Sequence, residues 1–169
     1  LYSAFVSVPE FTFRNLALLD TPGYSKPDDP HWHERTDAQL ARSQLNSAQF
    51  LIWLISAEAG TISEADLKFL ASLRPGIPRL IIISRADKRV PEDIARMVAL
   101  VRSTLANRAL TAVDVIPFST RKQQDFPLDP ILQSLNTWNA APREPGFALN
   151  FKRQFSAYQR FLDDEQHLA

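Results

Sequence analysis

Cysteine is absent from the 169 residues, which excludes a disulfide scaffold, cysteine-ligated zinc, iron–sulfur clusters and a thiol nucleophile. Net charge is absent too, with 19 Lys and Arg against 19 Asp and Glu. That balance argues against holding nucleic acid by bulk electrostatics and leaves only a local basic patch open. No long hydrophobic run occurs. The longest, Phe50 to Ile55 with Ala48 and Ala57 nearby, falls far short of the roughly 20 residues a membrane-spanning helix needs. Glycine is scarce, standing only at Gly23, Gly60, Gly76 and Gly146. No two of these are close enough for GxGxxG or GxxxxGK, so neither usual phosphate-cradling loop lies in the chain. Methionine occurs once, at Met97, and the first residue is Leu1. This beginning reads as an internal fragment; a cleaved signal peptide would leave the same appearance but fits poorly with a cysteine-free interior.

What is present suits an ordinary globular domain. At 45% hydrophobic and 22% charged, the chain can bury a core, and its length is one domain's worth with room for a small appendage. Four short apolar runs each end in a polar or turn residue: Leu16 to Leu19 before Asp20, Phe50 to Ile55 before Ser56, Leu80 to Ile83 before Ser84, and Val113 to Phe118 before Ser119. Continuous rather than alternating hydrophobicity is what strands buried on both faces need. The runs therefore predict inner strands of a parallel sheet. Trp53, inside the second run, reads as core.

Helical patterns separate the runs. Thr36 and Gln39 form a capping-box pattern ahead of Ala38, Ala41, Leu45 and Ala48. Ser63 with Asp66 makes a second box, and Ile62 before it can staple onto Leu67. Pro91, Glu92 and Asp93 open a third helix with Ile94, Met97, Val98, Val101 and Leu105 on one stripe. Asp129 and Pro130 open a fourth, burying Ile131, Leu132, Leu135 and Trp138. Strands alternating with helices predict an α/β fold, a three-layer sandwich around a mostly parallel sheet. The ends differ. Tyr2 to Val8 and Glu10 to Arg14 read as extended pieces broken at Pro9, the second an edge strand. Ala140 to Gly146 reads as a linker, and Phe151, Phe155, Tyr158 and Leu162 as an amphipathic helix.

Ligands of open α/β sheets bind beyond the carboxyl ends of the strands, so the residues after each run carry the search for chemistry. Asp20-Thr21-Pro22-Gly23 offers a carboxylate suited to magnesium through water and a glycine N–H able to approach a phosphate. Pro22-Gly23 is equally a type II turn. Ser84-Arg85-Ala86-Asp87 offers an acceptor-only side chain that can take two N–H bonds from a guanine edge, as an adenine edge could not supply. Taken singly it is also a turn carboxylate with Lys88 and Arg89 as solvated neighbours. Ser119-Thr120-Arg121-Lys122 offers small residues whose backbone N–H can reach a base carbonyl, and by itself only a turn.

In this order, each at a strand exit, the three motifs resemble the DxxG, [NT]KxD and SA[KR] signatures of the P-loop GTPases, over roughly Phe11 to Arg121. The resemblance implies that Asp20 holds Mg2+ through water, Gly23 senses the γ-phosphate, and Asp87 reads guanine. It further implies that Arg85 lays its stem along the base and Thr120 offers its backbone N–H to the guanine oxygen. Thr21, Pro22, Ser84, Ser119 and Arg121 complete the nucleotide-binding set. Ser84 stands where the family has Asn or Thr, and Arg85 where it has Lys. Planar guanidinium does not reproduce an ammonium. Tyr24 stands where Ras-like members have the glutamine that positions water.

DTPG followed by a residue other than glutamine is similar to the Era-like and dynamin-like GTPases, which complete their sites by pairing G domains or with K+. The insertion Tyr24 to Arg35 and the trailing helix resemble the dynamin-like branch. This implies a partial G domain over residues 1–139, a linker over 140–149 and, over 150–169, a helix opening a helical region. It also implies GTP or GDP as ligand, G-domain self-association, and a cytoplasmic protein with peripheral membrane association through other regions. Two alternatives stand beside a GTPase: a catalytically inactive G-like interaction module, and an Era-like RNA-associated GTPase touching RNA through Arg79, Arg85, Lys88 and Arg89. Net zero charge disfavours nucleic acid and makes that stretch a rim of solvated charges. His31 and His33 in HxH spacing read as loop decoration rather than metal ligands, since no third ligand stands at an obvious spacing.

Overall fold

The computed structural model describes residues 11–13, 15–21, 42 and 45–140. Three parallel strands form the sheet in the order β1-β2-β3: β1 is Leu51–Ser56, β2 is Arg79–Ser84 and β3 is Asp114–Pro117. Registers are simple, with Leu51 opposite Arg79, Ser56 opposite Ser84, and Leu80 opposite Asp114. Between the strands lie α1 (Glu64–Ala71) and α2 (Pro91–Asn107), and α3 (Asp129–Ala140) follows β3. No helix among the described residues is long and apolar enough to cross a membrane.

The continuous apolar run of β2 has the cause expected of it. Ile81 and Ile83 face a core with Leu67 and Leu70 of α1 and Ile94, Met97, Val101 and Leu105 of α2. Leu80 and Ile82 face a second core with Ile131, Leu135 and Trp138 of α3. Each such side chain, moved from water to a full burial site, contributes about 1.5–3 kcal/mol. The result is the three-layer α/β arrangement: α1 and α2, then the sheet, then α3. Trp53, expected in the core, is half-buried and rests on Phe69 with ring centroids 5.8 Å apart.

Local signals set the helix ends where they were expected. Ser63 caps α1 with a full box, its Oγ accepting from the Asp66 N–H at 3.0 Å while Asp66 accepts from the Ser63 N–H at 3.1 Å. Ile62 and Leu67, the staple pair, are both buried. Pro91 opens α2 with Glu92 and Asp93 in its first turn, where carboxylates meet the positive end of the helix dipole. Residue 42 and residues 45–47 are helical, within the reach of the first helical pattern; its start at Thr36 and Gln39 lies outside the described residues.

Three expectations are corrected. Leu16 to Leu19 is not a strand: residues 16–20 carry no regular structure, and Leu18 and Leu19 are 64% and 63% exposed. A strand exists only by pairing, and among the described residues β1 pairs with β2 alone, so the run has no ladder to join. It is fastened differently, Phe13 and Leu16 packing on the α3-side core and Asn15 donating two 2.9 Å hydrogen bonds to Asn139, from its backbone N–H to Oδ1 and from Nδ2 to the carbonyl. Arg79 is not part of a solvated rim. It is 4% exposed and donates from Nη2 to the Leu70 carbonyl at the end of α1, and burial lowers the pKa of its guanidinium. Of that basic stretch, Arg85, Lys88 and Arg89 remain at the surface. The edge strand expected over Glu10 to Arg14 is likewise not formed where it is described, since residues 11–13 carry no strand. Tyr2 to Val8, the insertion at residues 24–35, the histidines at 31 and 33, the linker beyond Ala140 and the terminal helix lie outside the described residues.

Candidate functional site

Parallel strands end together, so the residues after β1, β2 and β3 meet at one edge of the sheet. After β2 the chain turns sharply. Arg85 takes φ 56° and ψ 38°, the left-handed region that costs a non-glycine residue about 1–2 kcal/mol. That turn starts a short 3-10 segment, Ala86–Lys88, which carries Asp87. Ala86 is fully buried and its N–H donates to the Phe118 carbonyl at 3.1 Å, while the Phe118 N–H donates to Ile83 at 2.9 Å. The β2 and β3 exits are thereby stitched by backbone bonds.

Side chains complete the junction. Ser119, 1% exposed, donates its hydroxyl to Asp87 Oδ1 at 2.6 Å. Ser119 Oγ in turn accepts from the N–H groups of Arg121 and Lys122 at 3.1 and 3.2 Å. These bonds pull the loop around Ser119, and the N–H of Thr120 is given to none of the described residues. The Ser119 hydroxyl is also the main reason that the Asp87 carboxyl is held below its ordinary range, with Lys88 and Arg121 adding to the effect. A carboxylate that is ionised, fixed in direction and half-exposed has acceptor sites left for a donor pair arriving from solvent.

The β1 exit joins from the other side. Ser84 donates its hydroxyl to the Ile55 carbonyl at 3.2 Å. Arg85 Nη1 meets Glu58 Oε2 at 2.9 Å, and this hydrogen bond is the first cause of a lowered Glu58 pKa, burial opposing it. Arg89 donates from Nε to the Ala57 carbonyl at 2.6 Å and from Nη2 to the Glu58 carbonyl at 3.2 Å. Gly60, at φ 79°, closes the Ala57–Ala59 turn with a left-handed cap, the one place in this loop where glycine's freedom is used.

Of the sequence-based set, the structure brings together Ser84, Arg85, Asp87, Ser119, Thr120 and Arg121. Asp20 is exposed, Thr21 is half-buried, and no hydrogen bond or ion pair joins either to that group among the described residues. Pro22 and Gly23 lie outside the described residues. No group of three or more His, Cys, Asp or Glu side chains among the described residues could hold a metal ion. Asp20 is an exposed carboxylate, an oxygen donor of the kind a magnesium ion takes beside waters and phosphate oxygens.

No family model matches the chain. Two curated sequences from Escherichia coli, one from strain K12, both described as Clamp-binding protein CrfC, are 26% identical to it over 108 residues. The match covers 62% of this chain, and the chain spans only 14% of those relatives. Among solved structures, translation elongation factor SelB from Methanococcus maripaludis, in complex with the GTP analogue GppNHp, aligns at TM-score 0.49 and 21% identity. That alignment covers 63% of this chain and 24% of SelB.

Sequence reasoning does not reach Glu58 or the bracing role of Arg89. A signal existed: the second apolar run also ends at a strand exit, as Ser56-Ala57-Glu58, and an acidic residue there stands across from the basic Arg85 at the neighbouring exit.

Proposed function

We propose that this chain is the base-reading part of a GTP-binding domain, and that with a phosphate-cradling loop it forms a GTPase. The observation that carries the reading is the Ser119–Asp87 hydrogen bond of 2.6 Å, which fixes a depressed-pKa carboxylate beside the open N–H of Thr120. That pair is a template for guanine: Asp87 accepts from the ring N–H and the exocyclic amine, and Thr120 donates to the ring carbonyl. Adenine presents neither feature, and a buried or fixed polar group left unmatched makes discrimination steep. The Arg85 stem lies along the base. Two motifs in the family's order at the neighbouring β2 and β3 exits, with Asp20-Thr21-Pro22-Gly23 before them in the sequence, support the same reading.

Hydrolysis in such a domain is in-line attack of water on the γ-phosphate, catalysed by positioning and charge stabilisation. Asp20 would hold Mg2+ through water and Gly23 would aim its N–H at the γ-phosphate; the ion, when bound, neutralises phosphate charge. Tyr24 cannot orient water as a glutamine does. We therefore assign the chain to the dynamin-like class, in which a paired G domain or K+ completes the site, with Era-like GTPases as neighbours. The same reading carries a cytoplasmic protein that touches a membrane through other regions. No GxxxxGK[ST] stands among the 169 residues, so the reading requires that loop from elsewhere in the native protein.

A second reading is a G-like interaction module without hydrolysis. One observation favours it: the Ser84 hydroxyl is spent on Ile55. Titrations of the full-length protein with fluorescent GTP and ATP separate the cases. GTP preference that Asp87→Asn weakens by about tenfold or more supports guanine reading, that being the worth of a charge-assisted hydrogen-bond pair. Equal binding of both nucleotides, indifferent to the change, sinks it. GTP preference without turnover leaves the interaction module.

A further inference from the structure

Within the described loops, Arg85 is an exposed, long side chain on a backbone turned into the left-handed region. Its side chain is 68% exposed, so packing does not choose its direction. Among the described residues only one polar group holds it, the Glu58 carboxylate. Glu58, by contrast, sits on a braced turn. Ser56 caps that turn through the Glu58 N–H at 3.3 Å, Arg89 grips the carbonyls of Ala57 and Glu58, and Gly60 closes it. Because Ser56 and Ser84 are register partners, this braced turn lies directly across from the start of the Arg85 loop.

We propose that Glu58 is a positioning residue for the base site: it ties the Arg85 guanidinium to the β1 exit and so lays the Arg85 stem across the space between β1 and β2, alongside the base that Asp87 reads. The inference rests on the guanine-binding reading and deepens it. Glu58 touches no nucleotide itself. It acts on Arg85 by removing rotamer freedom that binding would otherwise have to quench. The arginine at this position is what makes a carboxylate anchor useful, because its planar fork keeps a donor aimed at Glu58 while the stem stays extended.

The test is a double-mutant cycle in the full-length protein, reading affinity for GMP, GDP and GTP, steady-state KM and kcat, and thermal melting. Glu58→Ala is expected to weaken all three nucleotides by the same factor, about two- to fivefold, the range of an exposed ion pair. KM should rise with kcat unchanged, because the lost interaction is equal in ground and transition states. Glu58→Gln, which keeps an acceptor for the Arg85 N–H, should recover part of the loss. In an Arg85→Ala background the Glu58→Ala effect should vanish. Additive effects of the two changes, or a gain in affinity that grows with phosphate number once Arg85 is untied, would overturn the proposal. A wild-type protein that binds guanine and adenine nucleotides equally would instead overturn the reading beneath it.

Discussion

At the scale of single residues, Ser119 carries the most. A hydroxyl has one proton and two lone pairs, and Ser119 uses all three, donating to Asp87 and accepting from the Arg121 and Lys122 amides. Being buried, it has no water to exchange with these partners. Asp87 is therefore ionised and aimed before any ligand arrives. The sign of its pH dependence follows. A carboxyl depressed from its ordinary 3.8 is fully charged above that value, and whatever it contributes to folding or to guanine binding is lost only as the pH falls through the depressed value. Ser119→Ala removes the largest cause of the depression. We expect the Asp87 carboxyl, followed by carbon-13 titration, to move up toward its ordinary range, and GTP preference over ATP to fall with it. An unchanged titration curve in the variant would show that Lys88 and Arg121, not the hydroxyl, hold the carboxylate.

At the scale of elements, legibility divided along local and non-local physics. The Ser63–Asp66 box, the Ile62–Leu67 staple and the Pro91 start of α2 depend on residues within one turn of each other, and each stands in the structure as the sequence suggested. Run length and composition were enough for β2, because both of its faces are covered. Leu16 to Leu19 is an apolar run of the same length and forms no strand, since pairing depends on a neighbour that hydrophobicity does not name. For the site, the residue types at the β2 and β3 exits were readable, as was their order. The Glu58–Arg85 tie and the left-handed Arg85 were not, because a contact 27 residues apart in the chain leaves no periodic trace. The cap gives a direct check on the local part: Ser63→Ala leaves one orphaned N–H in the first turn of α1 and should cost about 1 kcal/mol in chemical denaturation. No loss would mean that packing of Leu67 and Leu70, rather than the box, sets where α1 begins.

At the scale of the whole molecule, a three-stranded sheet can carry the site only if both faces are dry, because the exit loops are held by strands that would otherwise shift in register. The α1–α2 side has two helices to do this. Among the described residues the other side has α3 alone, twelve residues long, with Phe13 and Leu16 packed beside it. Trp138 is the large side chain of that layer: it is 6% exposed and stacks on Phe50 at 4.5 Å between ring centroids, next to Leu80 and Ile82 of β2. It also stands beside Asn139, whose two bonds to Asn15 fasten the start of the described chain. Trp138→Ala should therefore cost about 3–5 kcal/mol, a large share of the 5–15 kcal/mol that holds a typical domain. Guanidinium denaturation followed by far-ultraviolet circular dichroism reads that loss without relying on the tryptophan signal the substitution removes. The decisive comparison is with nucleotide binding below the unfolding transition. If α3 acts only by keeping the sheet dry, the folded fraction of the variant binds GTP as the wild type does, and a variant that keeps its stability but loses binding would place Trp138 in the site's own support.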